Sequence, residues 1–171
     1  MVRVDSAAFP QRVSGNDAMR DEGRGTRDAR ERELPLRYET FEHEADIGIR
    51  GFGNSVAEAF GNAAAALYSI QVNVDCVRPD ERRTVKVSAP DQELLLVEWL
   101  NALLSLSDID RMVFSKFEVN IQGTELTGTA WGEHLDRDRH QADVEVKGAT
   151  YHMLSVKKID GRYLVQCVVD V

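Results

Sequence analysis

The sequence has few cysteines, no long apolar run and no surplus of positive charge. Its two cysteines, Cys76 and Cys167, lie far apart and form no CxxC pair, which excludes a disulfide framework and a cysteine-based zinc site. No stretch approaches the roughly 20 consecutive apolar residues of a membrane helix. Residues 1–10 also lack the apolar core of a secretory signal. We therefore expect a reduced, cytoplasmic protein with no membrane partner.

Acidic side chains outnumber basic ones, and the formal net charge is −8 over 171 residues. Residues 1–36 carry equal numbers of arginines and acids, so the excess of acid belongs to residues 37–171. Strong binding to nucleic-acid phosphates depends on basic surface. We therefore expect any contact with RNA to be indirect, through a basic protein partner. The acidity could equally serve only to keep the protein soluble.

The chain divides into a tail, residues 1–36, and a domain, residues 37–171. The tail is rich in charge and glycine and cannot bury enough apolar area to order itself, so we expect it to be disordered. In the domain, apolar residues at helical or alternating spacing predict two helices and six strands. The helices are predicted at residues 56–70 and 92–107, and the strands at 38–52, 82–88, 112–122, 125–133, 144–159 and 163–169. This order predicts a single α+β domain with a mostly antiparallel sheet and two helices packed on one face.

Acidic residues cluster in the first predicted strand. The alternation of a strand would put Glu42, Glu44 and Asp46 on the same face. Like charges on one face repel each other, and a cation or a basic partner would relieve that repulsion. Alternatively, the three acids point into water, where the repulsion is screened.

The last predicted strand runs to the final residues of the sequence. Tyr163, Val165, Cys167 and Val169 alternate and share one face, which predicts an ordered, packed end. An ordered end would hold the Asp170 carboxylate beside the carboxylate of Val171, and adjacent anionic oxygens suit a hard cation. The alternative is an ordinary strand that ends in water.

Two further segments carry polar side chains that are common in functional sites. Glu133, His134, Asp136 and His140 lie in or beside a polar loop, where such residues are either catalytic, metal-binding or simply turn-forming and solvated. Lys147 precedes Thr150, Tyr151 and His152, and it is either a ligand contact or a lysine that protects an edge strand. The sequence contains no HExxH or GxSxG signature.

Taken together, these segments resemble the archease family. The resemblance rests on four motifs in the same order as in the family, and it covers residues 38–171. The motifs are His43 to Ile49 followed by Gly51-Phe52-Gly53, then Gly132 to Asp136 with His140, then Lys147 to His152, and finally Asp170-Val171. Two positions depart from the family pattern, because Glu44 stands where threonine is usual and Gly148 where alanine is common.

The resemblance implies a function and a set of site residues. It implies a non-enzymatic accessory protein for the tRNA-splicing RNA ligase, which joins a 3′-phosphate or 2′,3′-cyclic phosphate end to a 5′-hydroxyl end. The accessory protein would promote guanylylation of the ligase and its multiple turnover. The implied cation site consists of Asp46, Asp170 and Val171, with Ca²⁺ as the best-suited ion and Mg²⁺ or Mn²⁺ as alternatives. Lys147, with Glu133 and His43, would contact the ligase.

Two other functions are compatible with the residues. One is a small phosphoester hydrolase that uses Asp46 with His43 or His152 as an acid–base pair. The other is a chaperone or scaffold that binds no metal. Turnover by the isolated protein would indicate the hydrolase, and an absence of metal binding would indicate the scaffold.

Overall fold

A computed structural model describes residues 34–171. The predicted disorder of the tail therefore falls, for residues 1–33, outside the described residues. Two helices, eight strands and a short 3-10 helix follow one another along this part of the chain. Their order is β1 Tyr38–His43, β2 Asp46–Gly53, α1 Val56–Gln71, the 3-10 helix Val74–Cys76, β3 Glu81–Ser88, α2 Gln92–Asp110, β4 Met112–Gln122, β5 Glu125–His134, β6 Gly148–Ala149, β7 Ser155–Ile159 and β8 Arg162–Asp170.

All of the strand pairs are antiparallel, which confirms the predicted α+β class, and they form two sheets. The first sheet has the order β1-β2-β8-β6, with β7 also paired to β8, and the second has the order β3-β5-β4. Helix α1 contacts β2 and β8 of the first sheet and β4 of the second. Helix α2 packs mainly on β3 and also contacts β5 and β6. Neither helix in residues 34–171 is long and apolar enough to cross a membrane.

Both helices begin at their predicted first residues, and each start is capped by the side chain before it. The Ser55 hydroxyl accepts a hydrogen bond from the Glu58 amide at 3.1 Å, and the Asp91 carboxylate accepts one from the Leu94 amide at 2.8 Å. These side chains satisfy amides that have no partner within the helix. Helix α2 continues to Asp110, beyond its predicted end, and stops at Arg111, whose φ of 53° is left-handed.

Small residues let β2 approach α1 closely. A Cβ atom built on Gly51 would lie 2.2 Å from the main-chain oxygen of Ala59, so no larger residue fits there. The facing side of α1 is correspondingly rich in alanine, and Ala59, Ala63 and Ala66 are buried. This tight contact fixes β2, and with it β8, on a rigid support.

The prediction of one strand over residues 38–52 is wrong. The segment is a hairpin, in which Glu44 and Ala45 form the turn between β1 and β2 and Glu44 has a φ of 53°. Because the backbone reverses there, Glu42 and Asp46 are on different strands, and the shared face predicted for Glu42, Glu44 and Asp46 does not exist. The residue directly opposite Asp46 is His43.

The prediction of one strand over residues 144–159 is also wrong. Both β6 and β7 pair with β8, Ala149 with Val169 and Ser155 with Gln166. The segment between Ala149 and Ser155 is longer than the stretch of β8 opposite it. The surplus residues therefore loop out, and Met153 takes a left-handed φ of 53° in that loop.

Candidate functional site

Asp46 and Asp170 come together at one end of the first sheet. Strands β2 and β8 are neighbours, and Ile47 pairs with Val169. Continuing this antiparallel register by one residue brings Asp46 opposite Asp170. Val169, which precedes Asp170, is fully buried, so the end of β8 is anchored in the core.

Strand β6 flanks the same end of β8 on the other side. Gly148 pairs with Asp170, and the Lys147 amide donates to the main-chain oxygen of Asp170 at 2.8 Å. The Lys147 ammonium donates to the main-chain oxygen of Val171 at 3.2 Å. The Val171 side chain is half-buried and packs against the core. Contacts from both sides thus order the last two residues.

Asn101 of α2 holds β6 in position. Its side-chain oxygen accepts a hydrogen bond from the Ala149 amide at 2.8 Å, and its side-chain nitrogen donates to the Ala149 oxygen at 3.2 Å. Sequence reasoning missed this residue. The available signal was a single asparagine within an almost wholly apolar helix, because a polar group in such a position needs a partner.

The two aspartate side chains are left without partners. Asp46 is half-buried and Asp170 is exposed. Within residues 34–171, neither carboxylate forms an ion pair or accepts a hydrogen bond. This donor set fits a hard cation, which prefers carboxylate and main-chain oxygens. The described residues contain no group of three histidine, cysteine or acidic side chains with metal-binding spacing.

His43 places an imidazole ring at this end of the sheet, beside the carboxylates. It lies opposite Asp46 across the hairpin, and its Nε2 atom is 3.2 Å from Nε2 of His152 in the loop after β6. The ring centroids are 4.6 Å apart, with an angle of 60° between the planes. Nothing in the sequence indicated this contact, because it depends on where the loop folds back.

Glu133 lies elsewhere, at the end of β5 in the second sheet. Its carboxylate accepts hydrogen bonds from the Arg78 amide at 2.7 Å, from two nitrogens of Arg139 at 2.9 and 2.7 Å, and from His140 at 3.0 Å. The hydrogen bonds from Arg139 are the largest cause that lowers the pKa of Glu133 to about 2. Both of its oxygens are occupied within the chain.

His140 completes this arrangement and is fully buried. Its Nδ1 atom accepts a hydrogen bond from the Asp136 amide at 3.0 Å, so the ring proton must be on Nε2, which faces Glu133. The loop between β5 and β6 is thereby held against the second sheet. The structure assigns the Glu133 and His140 motif to the stability of this loop.

Three pockets in the described part of the chain are formed by residues other than the paired aspartates, and the largest of these three has a volume of about 570 Å³. That pocket is lined by Ser107, Arg111, Leu135 and Asp143 among others. Small-molecule substrates usually bind in such concave pockets. The aspartates instead lie at an exposed sheet end, which suits contact with a large partner.

The chain is similar in sequence to proteins of one family. The model of the archease protein family (MTH1598/TM1083) matches residues 38–171. The chain is 46% identical to protein archease of Pyrococcus abyssi over 140 residues, which are 79% of this chain and 99% of that protein. It is 42% identical to protein archease of Sulfurisphaera tokodaii over 137 residues, with coverage of 79% and 99%.

Two solved structures have the same fold. The solution structure of protein 1598 from Methanobacterium thermoautotrophicum superposes with a TM-score of 0.71 at 34% identity, covering 79% of this chain and 99% of that one. The crystal structure of an archease from Thermotoga maritima, described as a possible chaperone, has a TM-score of 0.52 at 18% identity. It covers 81% of this chain and 100% of that one, and at this identity the likeness concerns the fold alone.

Proposed function

The chain belongs to the archease family, and from this premise we propose that it is an accessory protein that activates a tRNA-splicing RNA ligase. The ligase joins a 3′-phosphate or 2′,3′-cyclic phosphate end to a 5′-hydroxyl end. In this proposal the chain promotes guanylylation of the ligase and restores it for further turnovers. It carries out no chemistry alone.

One observation carries the proposal. Two carboxylates without partners among residues 34–171, Asp46 and Asp170, are held at the exposed end of a sheet whose strands are fixed from both sides. Acidic groups that serve only solubility need no such support. Rigid support is what a binding site needs, because ligands must be held close to their productive geometry before the partner arrives.

The proposed cation site consists of Asp46, Asp170 and the main-chain oxygen of Val171. Ca²⁺ accepts several oxygen ligands at 2.3–2.6 Å in flexible geometry, which suits an open and partly hydrated site. Mg²⁺ and Mn²⁺ are alternatives of the same hard class. Water or a group of the ligase would complete the coordination.

Lys147 and His43 border the proposed cation site and form its contact with the ligase. Lys147 is exposed and its ammonium reaches the Val171 oxygen, so it presents a positive charge to the partner beside the proposed site. Glu133, the third residue implied by the resemblance, has both carboxylate oxygens engaged within the chain. The proposed ligase contact therefore centres on Lys147 and His43.

Contact with RNA is indirect in this proposal. The net charge of −8 opposes binding to phosphates, so the ligase holds the RNA and this chain holds the ligase. The cytoplasm, where tRNA processing enzymes and a reduced pair of cysteines are both expected, is the proposed compartment.

A multiple-turnover ligation assay tests the proposal. The organism's own RNA ligase is given an excess of RNA with cleaved ends, with and without this protein. We expect the ligase alone to stop after about one turnover and the mixture to continue. Equal product in both reactions would contradict the proposal. A third reaction with this protein and no ligase separates the alternative, because phosphoester turnover there would indicate a hydrolase.

A further inference from the structure

His43 and His152 form an imidazole pair that the proposed ligase activation does not use as a metal site. We propose that this imidazole pair, defined by His43 and His152, binds a divalent ion of the zinc class, separately from the hard-cation site at the aspartates. The inference goes beyond the proposed function and does not depend on it.

The distance between the two rings carries the inference. The Nε2 atoms are 3.2 Å apart. Two nitrogens bound to one tetrahedral Zn²⁺ at about 2.0–2.1 Å lie roughly 3.3 Å from each other. The two ring nitrogens lie within hydrogen-bonding distance of each other, and this is also the spacing of two ligands of a single ion. Binding would require each ring to turn so that its lone pair points at the ion.

The positions of the two residues also favour a metal site. His43 ends β1, which the hairpin fixes, and the His152 main-chain oxygen accepts a hydrogen bond from the Val168 amide of β8 at 3.0 Å. Two backbone anchors thus hold the rings near each other. His43 is half-buried and His152 is exposed, so the Nε2 atoms are accessible to an ion and to water.

The surrounding charge favours a cation. Asp46 lies directly opposite His43 in the hairpin, and the register brings Asp170 beside Asp46. A negative field from two carboxylates that have no partner within residues 34–171 attracts a divalent ion. Lys147, which precedes β6, directs its ammonium to the Val171 oxygen.

The ligand type sets the class of ion. Imidazole suits Zn²⁺, Ni²⁺, Cu²⁺ and Co²⁺, whereas Ca²⁺ and Mg²⁺ prefer oxygen. With two protein ligands, water would occupy the remaining coordination positions. The two neighbouring sites therefore select different ions, the imidazoles a borderline one and the carboxylates a hard one.

The chain provides its own controls. All four of its histidines lie in residues 34–171, and the other two are His134, which is exposed, and His140, which is buried against Glu133. His134→Gln is therefore the matched control for His43→Gln and His152→Gln. Cys76, which is half-buried, is the more accessible of the two cysteines, and Cys76→Ser is a second control.

The test is a calorimetric titration of the full chain with Zn²⁺, carried out in the absence and in the presence of excess Ca²⁺. We expect one Zn²⁺ per chain, with affinity at least tenfold weaker in His43→Gln and His152→Gln and close to wild type in both controls. Zn²⁺ affinity that is unchanged in His43→Gln and His152→Gln would overturn the inference. So would loss of Zn²⁺ binding in Asp170→Asn with those two variants unaffected.

Nitrogen-15 NMR of the histidine side chains gives an independent readout. Zn²⁺ should shift the Nε2 resonances of His43 and His152 together and leave those of His134 unmoved. A shift of only one of the pair, or an equal shift of His134, would show surface binding and contradict the site. Circular dichroism of each variant checks that the fold is intact.

Discussion

Two clusters in this molecule contain similar side chains but differ in whether their carboxylates are already hydrogen-bonded. One cluster combines Glu133, Arg139 and His140, and the other combines Asp46, Asp170, Lys147 and His43. In the first, four hydrogen bonds occupy the carboxylate of Glu133. In the second, the carboxylates have no partner among residues 34–171. An acid, a base and a histidine close together therefore do not define a site; what separates the clusters is whether the polar atoms are already satisfied.

The two clusters also differ in how deeply their side chains are buried. His140 is fully buried and the Glu133 side chain is only 13% exposed, so charge and hydrogen bonds there stabilise a loop. Asp170 and Lys147 are exposed, so their interactions are free to involve another molecule. We therefore expect substitutions in the first cluster to change stability and substitutions in the second to change ligase stimulation.

The largest expected effect is on ligase activation. Asp46→Ala or Asp170→Ala should abolish stimulation of ligase guanylylation, because each removes one of the two carboxylates of the proposed cation site. The measurement is the rate at which the ligase incorporates a guanylyl group. Asp160→Asn is the matched control, since Asp160 is an exposed turn residue with a φ of 50° that asparagine tolerates. Full stimulation by both alanine variants would contradict the role of these two carboxylates in ligase activation.

The next effect is on stability and belongs to the first cluster. Glu133→Gln should lower the free energy of unfolding by about 2–3 kcal/mol, because it weakens hydrogen bonds to charged donors and leaves Arg139 without its anionic partner. The midpoint of thermal unfolding should fall by roughly 4–12 °C. Glu118→Gln, at an exposed position of β4, should change stability little. Stimulation by Glu133→Gln, measured well below its midpoint, should equal wild type.

The pH dependence of stability should report the same cluster. The folded-state pKa of Glu133 is about 2, below its ordinary value of 4.5. A lowered folded-state pKa means that the contribution is fully present above about pH 4.5 and is lost as the pH falls toward 2. The difference in unfolding free energy between wild type and Glu133→Gln should therefore be smaller at pH 3 than at pH 7. A difference that grows with acid would show that another group controls the loop.

The smallest effect is expected at Lys147. Lys147→Met removes the ammonium that hydrogen-bonds the Val171 oxygen but keeps the length of the side chain. Stability should change by no more than about 0.5 kcal/mol, because the residue is exposed. Ca²⁺ affinity should rise a few-fold, since a competing positive charge is gone, while ligase stimulation falls. Lys158→Met, at an exposed position of β7, should leave both unchanged.

Local patterns predicted most of the secondary structure correctly. Both helices begin at the predicted residues, and β4 and β5 lie on either side of Gly123 where they were predicted. The two wrong strands share one physical cause. Alternating residues look the same whether the backbone continues or reverses, and Glu44 and Met153 reverse it with left-handed conformations that favour glycine.

The site was predictable only in part. Asp46, Asp170 and Val171 could be named from the sequence because family motifs mark them, whereas their proximity depends on the pairing of β2 with β8. The contact of His43 with His152 and the support from Asn101 depend on loops and on helix packing. The internal role of Glu133 could not be predicted, because Arg78 and Arg139 approach it only in the folded chain.

The most direct test of the central claim is a calorimetric titration with Ca²⁺ of the wild-type chain beside Asp170→Asn and Glu133→Gln. The account predicts one Ca²⁺ per wild-type chain, no measurable binding to Asp170→Asn, and wild-type affinity in Glu133→Gln. Absence of heat and of thermal stabilisation with the wild-type chain would indicate a metal-free scaffold and contradict the account. Wild-type binding by Asp170→Asn would contradict it equally.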